Sequence, residues 1–144
     1  MYIGLTHFHS YWAYVAFLLL LVAIINSFIG LSGRREFKPK DRKIAVFGLA
    51  AAHVQGLLGL VLYLVAPYIR LLASDPGAVM SNAPTRLLAI EHPLMNIIAL
   101  ILITVGFSRH KKLATSSAKF KSIGIFYLIG VVLILSRIPW ANWL

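Results

Sequence analysis

The stretch Asn82-Ala-Pro-Thr-Arg-Leu-Leu-Ala-Ile-Glu-His-Pro-Leu-Met-Asn-Ile-Ile98 opens an apolar run that continues to Phe107. Asn82 followed by Ala-Pro has the form of a helix cap with proline in the first turn. The apolar run is long enough to cross the hydrocarbon core of a bilayer, which takes about 20 residues. Glu91 and His92 therefore lie side by side just inside a membrane-spanning helix. Ionisable groups are costly there and are retained when they serve a purpose. Read outward from this stretch, the chain resolves into a membrane bundle.

Composition agrees. The chain has 144 residues, of which 60% are hydrophobic and 12% charged, with a mean hydropathy of +0.84. A soluble domain carries roughly 25% charged residues, so lipid is the expected solvent. Cysteine is absent, which excludes disulfides, thiolate metal sites and cysteine nucleophiles. The net charge of +10 arises from short loops between apolar runs. That pattern follows membrane topology and argues against nucleic-acid binding.

Four apolar segments, Tyr11–Leu31, Ile44–Pro67, Leu87–Phe107 and Ile123–Trp140, predict helices over about 9–31, 44–67, 84–107 and 122–140. The expected fold is all-α, an integral membrane four-helix bundle in a single domain spanning 1–144. The first segment lacks a basic leader and is too long for a signal peptide, so it counts as a helix. Between the second and third helices, Tyr68–Ser74 predicts a short interfacial helix, and Asp75-Pro-Gly predicts a turn.

Lys and Arg set the expected orientation. Arg34, Arg35, Lys38, Lys40, Arg42 and Lys43 lie between helices one and two, and Arg109, Lys111, Lys112, Lys119 and Lys121 between three and four. Only Arg70, Arg86 and Arg137 fall on the other side. The positive-inside rule puts both basic loops in the cytoplasm and both termini on the outer (periplasmic) side of the inner (cytoplasmic) membrane. Trp12, Trp140 and Trp143 then fall at the outer interface as an aromatic belt.

Inward faces are marked by small and polar residues. On helix one, His9 shares a face with Ala13, Ala16, Ala23 and Ser27, whereas His7 points toward headgroups or water. On helix three, His92 aligns with Asn96, Ala99 and Gly106. Helix two presents a broad arc of Gly48, Ala52, His53, Gln55, Gly56 and Gly59, and helix four puts Gly130 and Arg137 on one face. At a rise of about 1.5 Å per residue, His92 lies roughly 9 Å below the outer interface and His53 roughly 15 Å from the basic side. His9 sits near the outer mouth, so His9 and His92 match in depth better than either matches His53.

Two imidazoles facing each other across a bundle core are a means of holding a six-coordinate haem iron. Ala13, Ala16, Gly56, Gly59, Ala99 and Gly130 leave space for a macrocycle, and Arg86 and Arg137 are cations at the level of its propionates. Glu91 has three open roles: hydrogen bonding a ligand imidazole, pairing with an arginine, or moving a proton. Pro93 frees the carbonyl of Ala89 and kinks the helix. His53 stays open between ligation and an interhelical hydrogen bond. His110, among Arg109, Lys111 and Lys112, reads as a solvated loop residue. A zinc site fits poorly, because the histidines lie at unequal depths.

His53-Val-Gln-Gly-Leu-Leu-Gly59, followed by an outer loop and Pro84-Thr-Arg-Leu-Leu-Ala-Ile-Glu-His92, resembles one four-helix half of the haem A synthase family. The opening His9-Ser-Tyr-Trp-Ala-Tyr14 is similar to that of small four-helix membrane proteins labelled cytochrome b. The resemblance implies His9 and His92 as axial ligands. This chain departs from the synthase pattern in having one bundle and no Glu-x-x-His before its first helix histidine. The leading expectation is a haem b membrane cytochrome passing single electrons, with a quinone or a larger respiratory complex as partner and homodimerisation possible. The alternatives are a haem- or quinone-modifying enzyme and a non-catalytic accessory subunit of a respiratory assembly. Transport fits less well, since no repeat or charged path is visible.

Overall fold

The computed structural model describes residues 2–143. Four helices among them are long and apolar enough to cross a membrane: Tyr2–Ser32, Pro39–Val65, Ala83–His110 and Ser116–Ser136. The protein is an all-α four-helix bundle of the multi-pass membrane class.

The first span is α1, Tyr2–Ser32, and the second is α2, Pro39–Val65. Two short helices follow, α3 at Pro67–Ser74 and α4 at Pro76–Ser81. The third span combines α5 at Ala83–Arg86, a π-helical turn at Leu87–Glu91 and α6 at His92–His110. The fourth is α7, Ser116–Ser136, and a 3₁₀ turn at Trp140–Asn142 ends the described chain. α1 packs against α2 and α7, and α6 packs against the same two, so the helices form a square. The α2–α6 seam is the least extensive of the four sides.

Helix ends depart from expectation for local reasons. α2 opens at Pro39, before the expected 44, because Pro39 suits the first helical position. Asp41 closes the cap by accepting from the Lys38 backbone N–H at 2.8 Å. α7 stops at Ser136, before the expected 140, since Pro139 cannot continue a helix and biases its predecessor away from it. Asp75-Pro-Gly begins α4 where a turn was expected: the Asp75 carboxylate accepts from the Ala78 N–H at 2.9 Å and caps the helix. Asn82 caps α5 as its sequence predicts, accepting from the Thr85 N–H at 3.0 Å.

Packing is uneven along the bundle axis. Leu20, Ala23, Ile24, Ala45, Ala52, Ile103, Phe107, Ile123 and Tyr127 form one buried cluster, all in the half near the basic loops. Small residues set the helix spacing there. A Cβ on Gly130 would lie 2.6 Å from Ile103 Cγ1 and 3.2 Å from the Ala99 carbonyl. Tyr127 crosses this core and donates to the Ala45 carbonyl at 2.8 Å. Toward the other end, α2 has no buried residue after Ala52 and α7 none after Gly130. In α6, burial begins only at Ala99. Three of the four helices thus bury less toward the terminal end, where the buried positions are Ser10, Ala13 and Ala16 of α1 and Ala66, Val79, Ala89 and Ile138.

Candidate functional site

The terminal end gathers the polar side chains. His9 on α1 and His92 on α6 approach diagonally, with ring centroids 6.3 Å apart and planes at 81°. Gln55 on α2 reaches across to α1, where its amide nitrogen donates to the His9 carbonyl at 3.1 Å and lies 3.3 Å from His9 Nε2. His9 Nδ1 is buried without a hydrogen-bond partner. Its ring packs over Gly59, where an added Cβ would meet Cε1 at 3.1 Å. A glycine is thus what lets α2 approach this imidazole.

His92 is held differently. Its Nδ1 pairs with the Arg137 carbonyl at 2.8 Å, an interaction that requires the proton on Nδ1. The lone pair of Nε2 is then left free, the arrangement found when backbone carbonyls orient metal-binding histidines. Asn96 lies one turn along and donates to the His92 carbonyl at 2.7 Å.

The backbone around His92 depends on Pro93, which has no N–H to give the Ala89 carbonyl. The helix widens into the π-turn, in which the His92 N–H bonds the Leu87 carbonyl. The Ala89 carbonyl instead accepts from the Tyr63 hydroxyl of α2 at 2.9 Å. Sequence reading missed Tyr63. The signal was present, since a tyrosine in an apolar helix needs a partner and Pro93 leaves a carbonyl without one.

Glu91 pairs with both Arg86 and Arg137. Arg86 Nε lies 2.7 Å from Glu91 Oε1, and Arg137 Nε 3.4 Å from Oε2. Arg86 also donates to the Met80 carbonyl at 2.7 Å, tying α4 to the third span. Of the roles open to Glu91, the observed one is pairing, and it engages both cations expected to face propionates.

Two other histidines lie apart. His53 is exposed on the lipid-facing side of the α2–α6 seam, its Nδ1 2.9 Å from the Leu49 carbonyl and its Nε2 3.4 Å from Thr104 Oγ1. The broad small-residue arc of α2 spans more of the helix than faces inward. His110 is buried and not solvated, at 2% exposure. It packs between Phe37 and Phe107 and pairs through Nδ1 with the Phe107 carbonyl. Local charge concealed this, because Phe37 folds over from a loop distant in sequence. Trp12 is half-buried and donates to the Ala51 carbonyl at 3.1 Å, so it joins helices as well as lying near the belt. Trp143 stacks on Tyr14 with centroids 5.0 Å apart.

The histidine pair has the dimensions for an axial arrangement. Two metal–nitrogen bonds of about 2 Å, with half a ring on either side, separate imidazole centroids by about 6 Å. Among the described residues no three His, Cys, Asp or Glu side chains gather to hold a metal, so a structural zinc site lacks its donors. An axial pair needs only two, and His9 and His92 each retain a nitrogen without a hydrogen-bond partner. The space expected beside small residues for a macrocycle is instead filled by neighbours: a Cβ would meet Leu100 at 2.9 Å from Gly56, His9 at 3.1 Å from Gly59 and Ile103 at 2.6 Å from Gly130.

These features define a class: a four-helix membrane bundle with a diagonal histidine pair at the end opposite its basic loops. Comparison with protein-family models, curated proteins and solved structures finds no match.

Proposed function

We propose that the chain is a b-type membrane cytochrome in which His9 and His92 hold a haem near the outer face of the cytoplasmic membrane. The observation that carries this reading is the meeting of His9 and His92 across the bundle diagonal, with ring centroids 6.3 Å apart. Bound between them, the haem would supply one-electron chemistry. The chain's own residues do the rest. The Arg137 carbonyl fixes the His92 tautomer, Gln55 and Gly59 set the position of the His9 ring, and Tyr63 stabilises the backbone turn leading into His92. Arg86 and Arg137 would be the cations for the haem propionates, and both are paired with Glu91. The excess of basic residues in the 33–38 and 111–115 loops supports a cytoplasmic basic side, with both termini outside. The electron partner on this reading is a quinone or a larger respiratory assembly.

The test is a histidine series purified in mild detergent. His9→Ala and His92→Ala each lose most of the b-type Soret absorbance, while His53→Ala keeps it. Full absorbance in His92→Ala refutes the ligand assignment. A packing-only accessory role has one observation in its favour: Arg86, Glu91 and Asn96 all find partners within the chain. It predicts a colourless wild-type protein.

A further inference from the structure

At the opposite end of the bundle a groove of about 380 Å³ opens where the end of α1 meets the start of α7, lined by Leu31, Arg34, Arg35, Ser116, Ser117 and Lys121 among others. Its size falls in the range of small-ligand sites. We propose that this groove binds the phosphate headgroup of an anionic phospholipid.

Three observations converge. The first is charge. Arg35 is committed to Asp41, at 2.8 Å, whereas no acidic side chain among the described residues pairs with Arg34 or Lys121. The second is backbone conformation. Arg34 has φ of +49°, the one positive value among the described non-glycine residues. It sits where the Arg35 N–H bonds the Gly30 carbonyl at 3.1 Å and the Arg34 N–H bonds the Leu31 carbonyl at 3.2 Å. That double bond pattern is a Schellman cap, whose left-handed position glycine normally fills. An arginine there occupies a conformation that glycine adopts at lower cost. The third is placement. The groove lies at the shared end of two membrane-crossing helices, where Leu31 lines it together with the cations Arg34, Arg35 and Lys121, and its hydroxyls come from the first turn of α7. Ser116 Oγ accepts from the Phe37 N–H at 2.9 Å, which leaves its own proton to donate. Basic recesses between membrane helices are a recognised setting for anionic headgroups. Phosphate is the shared chemistry of a lipid headgroup and free phosphate, and the apolar Leu31 in the lining favours the lipid.

Arg34→Gly separates binding from folding, because it relieves the left-handed strain as it removes the guanidinium. Detergent-purified full chain is titrated with phosphatidylglycerol or phosphatidylcholine, and bound lipid is counted by native mass spectrometry. Wild-type protein retains phosphatidylglycerol over phosphatidylcholine. Arg34→Gly and Lys121→Gln each weaken phosphatidylglycerol binding about fivefold, with Arg34→Gly as heat-stable as wild type or more so. Lys40→Gln and Lys112→Gln, which remove equal charge elsewhere on the same side, leave binding unchanged. Equal losses in all four variants, or equal binding of phosphatidylcholine, overturn the proposal. Displacement of the lipid by millimolar inorganic phosphate overturns it in favour of a free-anion site. A less stable Arg34→Gly refutes the reading of Arg34.

Discussion

Removing the Tyr63 hydroxyl probes the join between α2 and the His92 turn. Ala89 is 1% exposed, and its carbonyl has lost its normal helical donor to Pro93. In Tyr63→Phe that carbonyl is left without a partner. In a water-soluble protein an unsatisfied buried carbonyl costs about 1–3 kcal/mol. Interhelical hydrogen bonds within membranes average about 0.6 kcal/mol, with a maximum near 1.7. The residue is deeply buried, so the expected cost is about 1 kcal/mol, near the upper part of the membrane range. Pro93→Ala supplies the control by restoring an N–H able to serve Ala89. Tyr63→Phe then costs close to nothing, and the double-mutant cycle returns a coupling of about 1 kcal/mol. Reversible unfolding in mixed micelles, followed by circular dichroism, measures each corner of the cycle. An equal cost in both backgrounds refutes the argument that the hydroxyl replaces the donor lost at Pro93.

Other expectations follow from particular contacts. Gly130→Ala forces a Cβ against Ile103 and the Ala99 carbonyl and destabilises the bundle by about 1–3 kcal/mol. Gly4→Ala meets nothing within 4 Å and is neutral or stabilising in the same assay. Arg35→Gln costs more stability than Asp41→Asn, because it leaves a carboxylate 3% exposed with only the Asn26 amide and the Lys38 N–H, whereas the reverse change leaves a guanidinium that reaches water. Hydrogen bonding to Asp41 also raises the Arg35 guanidinium above its ordinary pKa, so its charge persists at every working pH. Glu91→Gln loosens the outer mouth by only about 0.5 kcal/mol, since all three members of that cluster are about a third exposed or more.

The spans and the inward faces of α1 and α6 were legible because each rests on one chain's own periodicity. Ala13, Ala16, Ala23 and Ser27 are all buried, as the face shared with His9 required. Asn82 as a cap and Tyr68–Ser74 as a short helix, seen at Pro67–Ser74, were equally local. What escaped depends on partners remote in sequence. His110 is buried by Phe37, the Ala89 carbonyl is served by Tyr63, and Arg34 adopts its conformation through a cap that no composition rule assigns to arginine. His53 was ambiguous for a different reason. The small residues of α2 wrap around much of its circumference, so they do not single out the buried side.

The most direct measurement is the pyridine haemochrome spectrum of the purified wild-type chain, with haem quantified against protein. A bis-histidine b-type cytochrome predicts a haem b signature at about one haem per chain. A colourless protein with no extractable haem contradicts the account.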